Sequence, residues 1–191
     1  MSATPRMLAG FVQSALEAID DIDPSLGQKV RFQLKRETLA AIESASPIAL
    51  ISVDYDVELT DCFFFVAGYA NALAALRENL WRGFDKPWLR PVLDGARAVF
   101  GTSLLRTLTW APQFWGLVYR DAGEMSVAER SERRLRFELC GIPLAIAASP
   151  NYLAGTAATF AGCFDVAGVD GRVELAGPDL QTGRASFALS W

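Results

Sequence analysis

The run WAPQFWGLVYRDAGEMSV, Trp110 to Val127, changes its period partway through. From Pro112 to Arg120 the apolar side chains recur at helical spacing, with proline in the first turn. Beyond Gly123 they alternate, so that Met125 and Val127 point to one side. A buried helix therefore hands over to a strand within a few residues, at the adjacent pair Arg120–Asp121 and the glycine behind it. Neither an all-helical bundle nor a β-sandwich contains such a switch, and the class it implies is α+β.

Downstream, period two continues. In RLRFELC, Leu135, Phe137 and Leu139 share one face while Arg134, Arg136 and Glu138 share the other. With EMSVA before it and ERSER between, this reads as a hairpin with one wet face. SPNYLAGTAATFAGCFDVAG restores helical spacing, with Ser149 as cap, Pro150 in the first turn and Gly168 at the stop. Its alanines and glycines allow close approach to a sheet. GRVELAG and GRASFALSW then read as a second strand pair, with Ala185, Phe187, Leu189 and Trp191 facing inward.

Upstream, the chain reads as helical. Residues 5–19 place Met7, Leu8, Phe11, Val12, Ala15 and Ile19 on one face. DIDPSLG breaks that helix, and a second is predicted over Leu26–Ser44. SPIALISVDYD is a β-branched connector. Asp56 is placed to cap the next helix, VELTDCFFFVAG, which Gly68 ends, and YANALAALRENLWRGF follows. DKPWLRPVLDGARAVFG is predicted as a helix with Asp85 as cap and Gly101 as stop, and TSLLRTLTW as a short one. The predicted architecture is a helical N-terminal two-thirds packed with a four-stranded antiparallel sheet and one crossing helix. One domain spans 1–191, with 1–120 mainly helical and 121–191 forming hairpin, helix, hairpin.

The chain has 191 residues, 51% of them hydrophobic and 21% charged. A length in the range of ~100–200 residues suits one domain with a core that needs no staples. A mean hydropathy of +0.20 is high for a chain of this kind. It points to a thick core or to apolar surface kept for a ligand or partner. Net charge −4 and pI near 4.9 argue against nucleic acid, whose phosphates need a concentrated basic field. No segment has the ~20 apolar residues of a membrane span. The N-terminus reads as an amphipathic helix without the form of a signal peptide, and three widely separated cysteines, Cys62, Cys140 and Cys163, fit a reducing, cytoplasmic setting.

Histidine is absent altogether. That removes Ser-His-Asp and Cys-His nucleophile systems, histidine-containing zinc sites and histidine-ligated haem together. Three dispersed thiols make no zinc site either, so no cofactor and no metal is expected.

RGFDKPWLRPVLDGARAVFG, RTLTWAPQFWGLVYRDAGEMSV and the terminal GRASFALSW resemble an uncharacterised paralogous family of myxobacterial proteins. The C-terminal half of that family is similar to vinyl reductase-type domains and to subunits of the TRAPP transport particle. The resemblance spans roughly Val53 to Trp191, most specifically Phe84 to Val127. It implies a TRAPP-subunit-like fold that senses small molecules or assembles through helix faces, and it implies no reaction. The chain departs from ligand-bearing relatives of that kind. It lacks the histidine that nitric-oxide-binding cousins need for haem, and it lacks a cysteine cluster for metal.

The candidate binding residues are Trp110, Phe114, Trp115, Tyr119 and Arg120. In one reading Arg120 is an anion clamp at the end of a pocket lined by those rings. In the other, Arg120 satisfies carbonyls at the last helical turn and Asp121 holds the turn before Gly123. The acidic set DYDVELTD offers Asp54, Asp56, Glu58 and Asp61 as acid/base or oxygen-ligand residues, but helix capping accounts for Asp56 and solvent for most of the others. Cys62, in CFFF, is an acylation candidate by analogy with TRAPP subunits, or plain core. The glycines of GVDGRVELAGPDLQTGR match no phosphate loop and read as turns.

The functional expectation is a non-enzymatic module that binds an apolar small molecule or a protein partner. A homodimer through the helices around Trp81 and Trp88 is a further possibility. The alternative is an enzyme that uses carboxylates and Arg120 on a small substrate, with a desolvated acid as its hallmark.

Overall fold

The computed structural model describes residues 4–84 and 108–191, with backbone only for 79–84. The predicted helices over 85–101 and the first part of TSLLRTLTW lie outside the described residues, as do the side chains of Trp81 and Trp88.

The chain opens with a short strand, β1 (Arg6–Leu8), followed by helix α1 (Ala9–Ile22). The helix expected from residue 5 thus begins later. The reason is tertiary. β1 pairs antiparallel with β2 (Leu50–Ser52) on one side and with β3 (Tyr119–Arg120) on the other, in a three-stranded sheet that periodicity does not reveal. Met7 is buried in β1, and an inward helical face would bury it as well, so its hydrophobicity does not tell strand from helix.

The single helix predicted over Leu26–Ser44 is two, α2 (Pro24–Gln33) and α3 (Arg36–Ser44). Leu34 and Lys35 between them are extended, with ψ near 144° and 142°. A distant side chain holds the break open. Glu58 accepts from the Lys35 backbone N–H at 2.7 Å and from the Thr38 hydroxyl at 2.9 Å, so a carboxylate from another helix stands at the start of α3.

Helix α4 (Val53–Ala67) starts directly after β2, with Ser52 as its cap accepting from Asp54 N–H at 3.2 Å. Asp56 is therefore one turn inside the helix and does not cap it. Gly68, at φ 78°, ends α4 as expected, and α5 (Tyr69–Phe84) follows. Helix α6 (Ala111–Val118) carries Pro112 in its first turn and gives way to β3 at Tyr119.

The second half follows the alternation closely. β4 (Glu124–Arg130) and β5 (Arg134–Cys140) form the first hairpin, β6 (Arg172–Asp179) and β7 (Arg184–Ser190) the second. β7 pairs with β5, which gives an antiparallel sheet of order β4-β5-β7-β6. The inward residues Leu135, Phe137, Leu139, Ala185, Phe187 and Leu189 are all buried. Val127 is 38% exposed despite sharing Met125's face, because β4 is an edge strand with an irregular register just beyond it. Short helix α7 (Leu144–Ala148) was not predicted. Helix α8 (Pro150–Ala167) has Ser149 as cap, accepting from Tyr152 N–H at 3.1 Å, and Gly168 in the left-handed region.

α8 packs on the sheet through Phe160, stacked 5.0 Å from Phe137 and edge-on at 5.3 Å from Phe187. Such contacts between fully buried rings contribute ~0.5–1.5 kcal/mol each beyond their buried area. On its other side Gly155 admits α5, since a Cβ there would meet the Leu76 methyl at 2.9 Å. One core cluster takes residues from both the helical and the sheet half.

Candidate binding cavity

A cavity of about 260 Å³ lies where α1, α4, α6 and α8 converge near β4. Its walls are mostly apolar: Met7 and Phe11 before and within α1, Phe114, Trp115 and Val118 of α6, Met125 of β4 and Phe160 of α8. Phe11 meets Phe114 edge-on at 5.4 Å, and Trp115 stacks on Tyr119 at 4.0 Å. The Trp115 indole N–H donates to the Gly123 carbonyl at 3.2 Å, which fixes the ring against the turn into β4.

At one corner three side chains form a hydrogen-bonded chain. Tyr152 donates to Asp56 Oδ2 at 2.7 Å, and the Tyr119 and Tyr152 hydroxyls are 2.7 Å apart. With the Tyr152 proton committed to the carboxylate, Tyr119 is the donor of the second bond. Asp56 is half-buried and lines the cavity at this corner. Desolvation pushes its carboxyl up to about 6, and the bond from Tyr152 offsets only part of that rise. Burial and the nearby Asp56 carboxylate hold both phenols above their ordinary range.

The other candidate residues divide. Phe114, Trp115 and Tyr119 line the cavity. Trp110 does not, and packs instead on Phe114 at 5.5 Å. Arg120 is exposed and does not line it either. Its guanidinium donates to the carbonyl of Gly116, and to that of Tyr119 at 3.1 Å, which closes the last turn of α6. Asp121 has φ 58° and sits 3.6 Å from Arg6 at the surface. Gly123 follows at φ 88°, where a Cβ would lie 2.7 Å from the Cys140 carbonyl oxygen. Arg120–Asp121 is thus the hinge between helix and sheet.

The acidic set is dispersed. Asp54 bonds Ser52, Glu58 serves α3 and pairs with Lys35 at 3.2 Å, and Asp61 accepts from Ser149 and Asn151 at 2.8 and 3.0 Å. Among the described residues no group of three or more acidic or thiol side chains converges as a metal site would require. Burial raises the thiols of Cys62 and Cys163, the latter up to about 12, so neither is a ready thiolate. Sequence reasoning placed Asp56 as a cap and did not single out Tyr152. The available signal was spacing: Asp56 falls three residues after Val53 and three before Leu59, both buried, so an acid interrupts an inward stripe.

No family model and no curated protein sequence matches the chain. Solved structures do. The chain is similar to an Fe(II) unliganded H-NOX protein mutant from K. algicida, with a TM-score of 0.66 and 10% identity over 96% of this chain and 95% of that one. It is similar to a structure that probes haem distortion in the H-NOX family, with a TM-score of 0.63 and 11% identity over 97% and 95%. An oxygen-binding H-NOX domain related to soluble guanylate cyclases matches with a TM-score of 0.60 and 12% identity over 96% and 94%. At these identities the shared property is the fold. The expected kinship with vinyl reductase-type domains, TRAPP subunits and a myxobacterial paralogous family is overturned: the structures matched are H-NOX domains, and the α+β class stands without the TRAPP-like topology.

Haem does not fit the donor set present. The chain has no histidine, and no cysteine lines the cavity among the described residues. The two tyrosines there are bonded to each other, and both resist ionisation. No cationic side chain lines the cavity among the described residues to meet a macrocycle's carboxylates. The cavity's 260 Å³ also falls short of the ~300–1,000 Å³ usual for drug-sized ligands. No described helix is long and apolar enough to cross a membrane.

Proposed function

We propose that this chain is a non-enzymatic binding module on an H-NOX-like fold, whose cavity takes a small organic guest directly in place of haem. The observation that carries the reading is the cavity itself. It is walled by aromatic and methionine side chains at the junction of helices and sheet, and a single hydrogen-bonded corner orients what enters. Apolar cavities of roughly 150 Å³ accept a benzene ring, so 260 Å³ holds a ring with a short substituent. The H-NOX structures of similar fold are described by haem and by bound oxygen. Here the missing histidine removes the iron's usual anchor, and a cavity with apolar walls remains for a guest. A guest touching α1, α6, α8 and Met125 of β4 bears on both halves of the molecule at once, the arrangement a sensor needs.

Calorimetric titration with toluene, beside an absorbance titration with haemin, tests the proposal. Ala15 of α1 lines the cavity, and Ala15→Leu would fill part of it. Saturable toluene binding that this substitution abolishes is the expected result, with no haemin spectrum beyond that of free haemin. Stoichiometric haemin uptake with a sharpened Soret band, or no toluene binding, contradicts it.

A further inference from the structure

We propose that the cavity's guest is a small aromatic amine, bound as its ammonium ion, with the charged head on Asp56 and the ring among Phe11, Phe114, Trp115 and Phe160. This rests on the cavity reading above and names the class of ligand.

Consider which polar groups remain available to a guest. The Thr156 and Thr159 hydroxyls donate to the helix carbonyls of Tyr152 and Gly155 at 3.0 and 3.1 Å. The indole N–H of Trp115 is committed to Gly123, and the Tyr152 proton to Asp56. What stays open at the corner is acceptor capacity: the second carboxylate oxygen of Asp56 and the lone pairs of Tyr119. Thr60, one turn along α4 from Asp56, and Ser14 of α1 also line the space, and their hydroxyls accept as well as donate.

An acceptor-rich corner matches a head group made of donors, and an ammonium carries three and no acceptor. Charge points the same way. Asp56 is a half-buried carboxylate in the cavity wall, and no cation among the described residues lines the cavity with it. A buried charge without a counter-ion is costly, and a cationic guest supplies what the protein omits. The walls suit the remainder of such a ligand, because aromatic faces attract an organic cation as well as a neutral ring. An anionic guest meets a carboxylate and is rejected.

An isosteric series decides it: benzylamine, benzyl alcohol, toluene and benzoate titrated calorimetrically into the intact chain at pH 7.5. Benzylamine is expected to bind at least about tenfold more tightly than toluene through its charge-assisted bond, and benzoate not at all. In Asp56→Asn the ratio of benzylamine to toluene affinity should collapse below about threefold. Circular dichroism of that variant serves as the check that it is folded. If toluene binds and benzylamine is no tighter, or if the amine preference survives Asp56→Asn, the ammonium assignment is wrong while the cavity reading stands. Tightest binding by benzyl alcohol assigns a neutral donor and likewise overturns it. If toluene does not bind, the cavity reading fails and the ammonium assignment that rests on it fails with it.

Discussion

The Tyr152 hydroxyl donates to Asp56 across 2.7 Å, joining the first turn of α8 to the first turn of α4 at the edge of the cavity. Both residues are held by ordinary structural means: Ser52 and Ser149 cap the two helices, and Asp61, midway along α4, accepts from Ser149 and Asn151 at the start of α8. A carboxylate that helix capping would have left at the surface is thereby carried inside. Among the described residues the titratable groups facing it are the phenols of Tyr152 and, beyond it, Tyr119.

Removing the Asp56 charge should stabilise the protein. Desolvation lifts its carboxyl from 3.8 to about 6, so between those values the folded state binds a proton that the unfolded chain has released. The associated stability is full below about 4 and is lost as pH rises through 6, a difference of roughly 3 kcal/mol for a shift of this size. Asp56→Asn should therefore raise the melting temperature at pH 7.5, by the equivalent of about 1–3 kcal/mol, and change it little at pH 4. Scanning calorimetry at both pH values reads this out. Equal destabilisation at the two would refute it.

Tyr152→Phe takes away the one side-chain donor to that carboxylate among the described residues. A cost of about 1–3 kcal/mol at pH 7.5 is expected, against about 0.5–1.5 for Tyr119→Phe, which removes a bond between neutral groups. In a double-mutant cycle the Tyr152 cost should shrink when position 56 is asparagine, because no buried charge is then left bare. Purely additive effects would show that the two residues do not act together.

Glu58 holds α2 and α3 apart, and Glu58→Ala should destabilise by about 1–3 kcal/mol through the Lys35 N–H and the buried Thr38 hydroxyl it leaves unpaired. Desolvation pushes the Glu58 carboxyl up, but the bonds from Lys35 and Thr38 outweigh it and leave the group below its ordinary 4.5. The stability it confers is present above that value and lost as pH falls through the lowered one. Urea titrations at pH 7 and pH 3 should show the penalty of Glu58→Ala large at the first and small at the second. A pH-independent penalty would assign the effect to packing alone.

At the hinge, Asp121 adopts φ 58°, where a residue with a Cβ is strained and glycine is not. Its contact with Arg6 spans 3.6 Å between half-exposed side chains and is worth little. Asp121→Gly should thus be neutral to stabilising by up to about 1 kcal/mol, and Asp121→Val clearly destabilising. Thermal melts of the two variants settle the order, and the reverse order would place the function of Asp121 in its carboxylate.

The sheet half was legible because β5 and β7 alternate strictly with one face buried, and because Ser149, Pro150 and Gly168 mark both ends of α8. The helical half was less so. β1, β2 and β3 have three residues or fewer each and are defined by pairings between residues as far apart as Arg6 and Ser52, and Arg6 and Arg120, which no local period records. The break before α3 depends on Glu58, far along the chain. Phe114, Trp115 and Tyr119 were found at the cavity because aromatic residues at helical spacing must bury one face. Arg120, adjacent in sequence, points elsewhere because the chain turns into β3 there. Asp56 and Tyr152 meet across 96 positions, and only the acid's place on an inward stripe hinted at it.

The most direct test of a guest-binding cavity is the response of the Met7 and Met125 ε-methyl resonances, assigned through Met7→Leu and Met125→Leu, when toluene is added to methyl-labelled protein. Both methionines line the space. The account predicts saturable ring-current shifts at both, absent in Ala15→Leu. Unchanged resonances at saturating toluene, or equal shifts in Ala15→Leu, would contradict it.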